Sequence, residues 1–179
     1  MLALTPCLLR AIRLLLKIAG GAAGNRIPGG REPGPDAIGR GGRRSMDPGE
    51  AASRWAATWT DAWRAHDVDA VVALYADDCV HRSTPFRAPH RGRQGVRDYV
   101  AWAFAEEQGV DDVRFGTPVV LGDRACVEYW ATLLDENGAP ITLAGCAMAR
   151  FDADGLVTEA RDYWHVQAGH RSPPEDWGR

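Results

Sequence analysis

Cysteine is scarce in this chain: Cys7, Cys79, Cys126 and Cys146 are the only four in 179 residues. No two form a CxxC pair and none has a histidine at zinc-ligand spacing, which excludes a Cys/His zinc module. Cys79, Cys126 and Cys146 lie in apolar, strand-like runs, where buried reduced thiols are expected, and with them a reducing, cytoplasmic compartment. A helical HxxxH motif is missing as well, so neither a metal nor another cofactor is expected. Long apolar runs are also absent. In residues 1–19, Leu8, Ile12, Leu15 and Ala19 fall on one helical face, but Arg10, Arg13 and Lys17 interrupt it. That stretch is too broken for a transmembrane span and too charged in its centre for a signal peptide. Two readings stay open for it: a basic amphipathic helix on a membrane surface, or a leader that is not made because synthesis starts at Met46. Basic charge is scarce from Met46 onward. Residues 1–45 hold eight of the 21 basic and two of the 24 acidic side chains, leaving 13 and 22, a net of −9, for the remainder. Such a surface repels a phosphate backbone, so no nucleic-acid partner is expected.

Residues 20–45 are crowded with Gly, Pro and Arg and have almost no aromatic or β-branched side chains. Such a segment cannot bury enough apolar surface to offset its ordering entropy. Residues 1–45 are therefore read as a disordered leader and 46–179 as one domain of 134 residues, long enough for its own core. Trp55, Trp59 and Trp63 recur every four residues, with Ala52, Ala56 and Ala62 beside them, which predicts a helix over 49–65. A second, short helix is predicted over Val68–Tyr75, ended by Ala76-Asp77-Asp78. A short strand over Cys79–Thr84 and a basic loop over Phe86–Gly95 follow; that loop is either a solvated surface or a lid that attracts an anionic substrate. A third helix is predicted over 94–108, with Gly109 as its stop. Four strands are predicted next: Val113–Leu121, Ala125–Leu134, Ile141–Phe151 and Leu156–His165, the middle ones separated by an Asn137-Gly138 turn. Helices followed by an antiparallel meander predict an α+β fold. The tail, with Pro173-Pro174 and Trp177, is placed to fold back over the surface.

Arg161-Asp162-Tyr163-Trp164 carries the clearest chemical signal. Alternation sets Ala160, Asp162 and Trp164 on one face of the last strand and Arg161, Tyr163 and His165 on the other. The first face is apolar apart from one carboxylate. Turned inward, Asp162 is a desolvated acid and a candidate for chemistry.

The order of elements resembles the nuclear transport factor 2-like superfamily, in particular its SnoaL-like (polyketide cyclase-like) branch. The matching pieces are His66-Asp67-Val68-Asp69-Ala70-Val71-Val72-Ala73-Leu74-Tyr75-Ala76-Asp77-Asp78, the Gly92-Arg93 step into a helix with Tyr99, Phe151-Asp152-Ala153-Asp154-Gly155, and Arg161-Asp162-Tyr163-Trp164, spanning about residues 50–168. The resemblance implies a cone: a strongly curved, mainly antiparallel sheet wrapped around three N-terminal helices, enclosing a pocket and dimeric through the sheet's outer face. It also implies a choice that hydrophobicity would make differently. On the strand after Asp123, Val127, Tyr129, Ala131 and Leu133 form the more apolar face. The resemblance instead turns Cys126, Glu128, Trp130 and Thr132 to the pocket and the apolar face to a partner subunit. It also sets His81 and Ser83 in the pocket.

The implied pocket holds Asp162, His81 and Glu128 as catalytic candidates and Trp59, Ser83, Trp130, Thr132, Trp164 and Tyr99 as substrate-binding candidates. Either His81 takes a proton, or Asp162 does so while Glu128 stays protonated as the acid. Departures from relatives narrow the chemistry. The arginine and second aspartate of limonene-type epoxide hydrolases fall on Glu128 and Trp130, and the tyrosine and asparagine that hold their water on His81 and Ser83. The catalytic tyrosine and oxyanion-hole aspartate of steroid isomerases fall on Trp59 and Ala147. The expected function is a cofactor-free acid–base enzyme, a hydrolase, isomerase or cyclase on a small apolar substrate. The alternatives are a non-catalytic binding module for an apolar ligand, or a structural dimer in which Asp162 is a satisfied buried acid.

Overall fold

In the computed structural model, helix α1 (Pro48–Ala65) starts where its sequence supplies a cap. The Asp47 carboxylate accepts hydrogen bonds from the N–H groups of Gly49 and Glu50, and Pro48 takes the first helical position. The helix buries Ala51, Ala52, Trp55, Ala56 and Ala62. It ends at His66, a left-handed residue with φ 52°, whose N–H turns back to the carbonyls of Ala62 and Trp63. Asp67 then caps α2 (Val68–Val72) through the Ala70 N–H. The remaining elements are β1 (Tyr75–Arg82), β2 (His90–Arg91), α3 (Gly92–Ala105), β3 (Gly109–Phe115), β4 (Val119–Leu121), β5 (Arg124–Leu134), β6 (Pro140–Phe151) and β7 (Val157–Ala168). The structure describes residues 45–179. The readings of 1–44, an amphipathic segment and a disordered leader, lie outside the described residues.

The strands form one sheet in the order β2-β1-β7-β6-β5-β3, with β4 paired to β5 beside β3. All pairs are antiparallel except β1 with β7, which run parallel. Ser45–Arg179 is thus an α+β cone, a curved, mainly antiparallel sheet with three helices on its inner face. The core joins α1 and α3 to that face: Trp55, Val96, Val100, Phe104, Val127, Tyr129 and Phe151 are all buried in it. Each such side chain contributes roughly 1.5–3 kcal/mol by leaving water. No helix among the described residues is long and apolar enough to cross a membrane.

Several predicted boundaries differ; the expected basic loop holds β2 and the start of α3, and α3 ends at Ala105. The helix expected to reach Tyr75 stops at Val72, and Tyr75 opens β1 four residues before the predicted strand. Parallel pairing to β7, with an irregularity between Tyr75 and Val80, keeps Ala76–Asp78 extended. The strand expected over Val113–Leu121 is two strands, broken at Gly116-Thr117-Pro118. Gly109 does not stop a helix; it opens β3.

The largest correction concerns the faces of β5. Val127, Tyr129, Ala131 and Leu133 are buried on the inner face, as hydrophobicity alone indicates. Glu128, Trp130 and Thr132 point the other way, so the placement implied by the resemblance is reversed. Thr132 is buried all the same, because the C-terminal tail covers the outer face there. Trp130 Nε1 donates to the Arg171 carbonyl at 2.7 Å, and its ring meets Trp177 edge-on. The Gly178 N–H donates to Glu128 Oε2 at 3.3 Å.

Candidate active site

Strand β1 delivers His81 to the inner face, with Ser83 just past its end, and β7 delivers Asp162 beside them. The register pairs His81 with Ala160 and Arg82 with Arg161, so Asp162 lies one step beyond. His81 is buried, with 2% side-chain exposure, and Asp162 keeps 16%. His81 Nε2 lies 3.3 Å from Asp162 Oδ2. That is ion-pair distance, yet the atoms are off the line of a hydrogen bond, and Nε2 has no hydrogen-bond partner. On the other side of the ring, Nδ1 is 3.1 Å from the Tyr75 hydroxyl.

Tyr75 backs the imidazole ring. Burial first, and then the nearby charge of Asp162, push its phenol well above the usual range, so it stays protonated and able to donate. With Nδ1 bonded to the Tyr75 hydroxyl, Nε2 is the ring nitrogen left facing Asp162. Tyr75, His81 and Asp162 therefore form a line of phenol, imidazole and carboxylate.

Aromatic rings wall this line. Tyr99, from α3, lies 5.0 Å from His81 between ring centroids and stacks on His90 at 4.5 Å. Burial and the Asp162 charge also raise the Tyr99 phenol, opposed in part by a hydrogen bond with Ser83. His90 Nε2 lies 3.3 Å from the Ser83 hydroxyl. Burial, with the neighbouring His81 and Arg87, lowers His90 to about 4, so it is neutral at pH 7. Trp164 closes the far side, its Nε1 donating to the Ser83 carbonyl at 3.0 Å. On α1, the indole N–H of Trp59 is buried without a hydrogen-bond partner, while the Trp55 indole faces the Tyr75 hydroxyl and slightly opposes the rise of its phenol.

Of the residues singled out in the sequence, Trp59, His81, Ser83, Tyr99, Asp162 and Trp164 share the inner face with this cluster or pack on its core. Glu128, Trp130 and Thr132 do not. Tyr75, His90 and Trp55 belong to the cluster and were not singled out. Tyr75 was hidden by its helix-like run, His90 by its loop. A depression of about 300 Å³ opens where β1 leaves β7, lined by Arg82, Thr84, Pro85, Arg161, Asp162 and Tyr163. A larger hollow of about 460 Å³ lies elsewhere, between α1, β3 and the tail, and holds none of the acid–base groups. Among the described residues no group of His, Cys, Asp and Glu could hold a metal ion.

A cone of this topology is the fold of the nuclear transport factor 2-like superfamily, a class of small-molecule-binding and isomerase-type proteins. A family model described as a SnoaL-like domain matches residues 56–160, more than half of the chain, and the chain belongs to that family. A similar solved structure is a hypothetical protein with a ketosteroid isomerase-like fold from Catenulispora acidiphila DSM 44928, in complex with trimethylamine. It is 22% identical, with a TM-score of 0.54 over 61% of this chain and 83% of that one. The likeness is one of fold. No curated protein matches the chain significantly.

Proposed function

We propose that the protein is a cofactor-free acid–base enzyme acting on a small, largely apolar molecule, with Asp162 as the base and His81 as the acid. The carrying observation is the 3.3 Å approach of His81 Nε2 to Asp162 Oδ2, with Tyr75 holding the ring from behind. In this reading Asp162, still in partial contact with solvent, takes a proton from a substrate carbon or from a water. His81 gives its Nε2 proton to the oxygen where charge develops, and the Tyr75 hydroxyl supports the ring at Nδ1. The off-line geometry suits this, since a substrate oxygen beside Nε2 completes a hydrogen bond that Asp162 does not. Isomerisation, cyclisation and hydrolysis all fit such a pair.

A non-catalytic binding module is the second reading. The buried indole N–H of Trp59, without a hydrogen-bond partner, favours it. An unmet buried donor costs about 1–3 kcal/mol, which a ligand oxygen recovers without any reaction. A homodimer fits the β6–β7 side of the outer face, where Met148 and Tyr163 stay exposed while the tail covers the β5 side. A cytoplasmic setting follows from the same thiol argument as before, and rests on Cys79, the one described cysteine that is buried.

Asp162→Asn and His81→Ala, assayed on epoxides and polyketide-like ketones with binding followed by tryptophan fluorescence, separate the two. The enzyme reading expects turnover to fall at least about 100-fold in each, with binding kept within a few fold. Glu128→Gln is expected to leave both unchanged. Equal loss of binding in both variants, with no turnover in the parent on any substrate, assigns the module instead.

A further inference from the structure

We propose that Cys126 and Cys146 are a modification site, forming a reversible disulfide that clamps β5 to β6 from the outer side of the sheet. Their Sγ atoms are 3.0 Å apart, closer than two unbonded sulfurs normally come and about 1 Å from bonding distance. The register shows how they meet. Cys126 stands opposite Met148 and Glu128 opposite Cys146, so the cysteines are diagonal neighbours on one face. Diagonal partners ordinarily stand farther apart than opposed ones, and strand twist draws one of the two diagonals together. Both residues are half-buried in the single chain; because Met148 and Tyr163, on the face proposed for pairing, stand opposite them, the oxidation is a reaction of the unpaired chain.

The bond would sit back to back with the tightest point of the inner face. Gly145 precedes Cys146, and the Tyr129 ring packs so closely over it that a Cβ there would lie 2.7 Å from the phenol oxygen. Closing the bond fixes the β5–β6 register where that approach demands it.

A peroxide is a sufficient oxidant. One thiolate attacks the O–O bond, giving a sulfenic acid and hydroxide. The second sulfur attacks the sulfenic sulfur and expels its oxygen as water. Two thiols lose two protons and two electrons, and the peroxide becomes two waters; a dithiol reverses the step. Burial, the Cys126 sulfur and the carboxylates of Glu128 on β5 and Asp162 on β7 hold the Cys146 thiol up at about 12. Tyr163 is its cross-strand neighbour on β7. Attack by the Cys146 thiolate is therefore slow at neutral pH and quickens as pH rises.

The test uses the full chain and hydrogen peroxide. Trypsin releases residues 125–150 as one peptide that contains both cysteines. After oxidation this peptide is expected to be lighter by two hydrogens and to resist iodoacetamide until a dithiol is added. The thermal midpoint is expected to rise by about 5–10 °C, because about 20 residues are closed into a loop. Cys126→Ser and Cys146→Ser are each expected to abolish both effects. Alkylation of both cysteines after peroxide treatment overturns the proposal, as does oxygen gained on Cys126 or Cys146 or a link to Cys7 or Cys79; oxygen gained on Met148, exposed in the same peptide, is told apart by fragmentation.

Discussion

Glu107 is the residue whose environment most contradicts its chemistry. Trp63 Nε1 donates to its two carboxylate oxygens at 3.0 and 3.1 Å, and His66 Nε2 lies 3.1 Å from Oε2. His66 itself stacks on Phe104. Burial raises Glu107 from 4.5 to about 8, against the smaller opposing effect of the Trp63 N–H. Between pH 4.5 and 8 the folded chain thus holds a proton that the unfolded chain has released. Stability then falls as pH rises through that window and levels off above it. Glu107→Gln is expected to remove this slope, making the variant more stable than the parent by about 1–3 kcal/mol at pH 8 and nearly equal to it at pH 4. Urea titrations at the two pH values check this; parallel losses at both would place the role of Glu107 in packing alone. Nothing in Ala105-Glu106-Glu107-Gln108 signals such a site, because the run reads as an ordinary polar helix end.

At the scale of elements, the β5–β6–β7 strands decide what both faces can carry. Gly145 pairs with Tyr129 on one side and Trp164 on the other. An added Cβ would meet the Tyr129 ring and the Tyr163 carbonyl, each at 2.7 Å. A backbone carbonyl cannot step aside as a flexible side chain can. Gly145→Ala is therefore expected to cost about 1–3 kcal/mol, read as a lower thermal midpoint. A midpoint within about 1 °C of the parent would show that β6 yields there. The same strands mark how far the sequence could be read. Alternation put Asp162 and Trp164 on one side of β7, and apolarity marked Val127, Tyr129, Ala131 and Leu133 as the core side of β5; the structure has both. The resemblance turned β5 over because it supplied a partner subunit for the apolar face. In this chain α1 covers that face, and the chain's own tail lies on the other. Tyr75 was misread because Val71, Val72, Leu74 and Tyr75 suit a helix, whereas the parallel partner that makes Tyr75 a strand residue lies some 80 positions away at Val157.

For the whole molecule, the tail gives the outer face two different halves. Residues 171–179 reach across β5: the Arg171 N–H donates to Thr142 Oγ1, its carbonyl accepts from Trp130, and the Gly178 carbonyl accepts from the Thr117 N–H. Trp177 lies edge-on to Trp130. None of these groups touches His81 or Asp162. Ending the chain at His170 should therefore separate stability from chemistry. It uncovers the Trp130 ring and strips partners from Glu128, Thr142 and the Gly116-Thr117 backbone, while Thr142 keeps its bond to the Gly169 carbonyl. A loss of about 1–3 kcal/mol in urea unfolding is expected, with unchanged binding at the inner face. The bared indole adds to the apolar surface that Met148 and Tyr163 already expose on the same outer face. Self-association of the shortened chain is then expected to strengthen at equal concentration, measured by sedimentation equilibrium. Weaker association after truncation would mean that the tail is itself part of the contact between copies, and that the β6–β7 half alone does not hold a pair together.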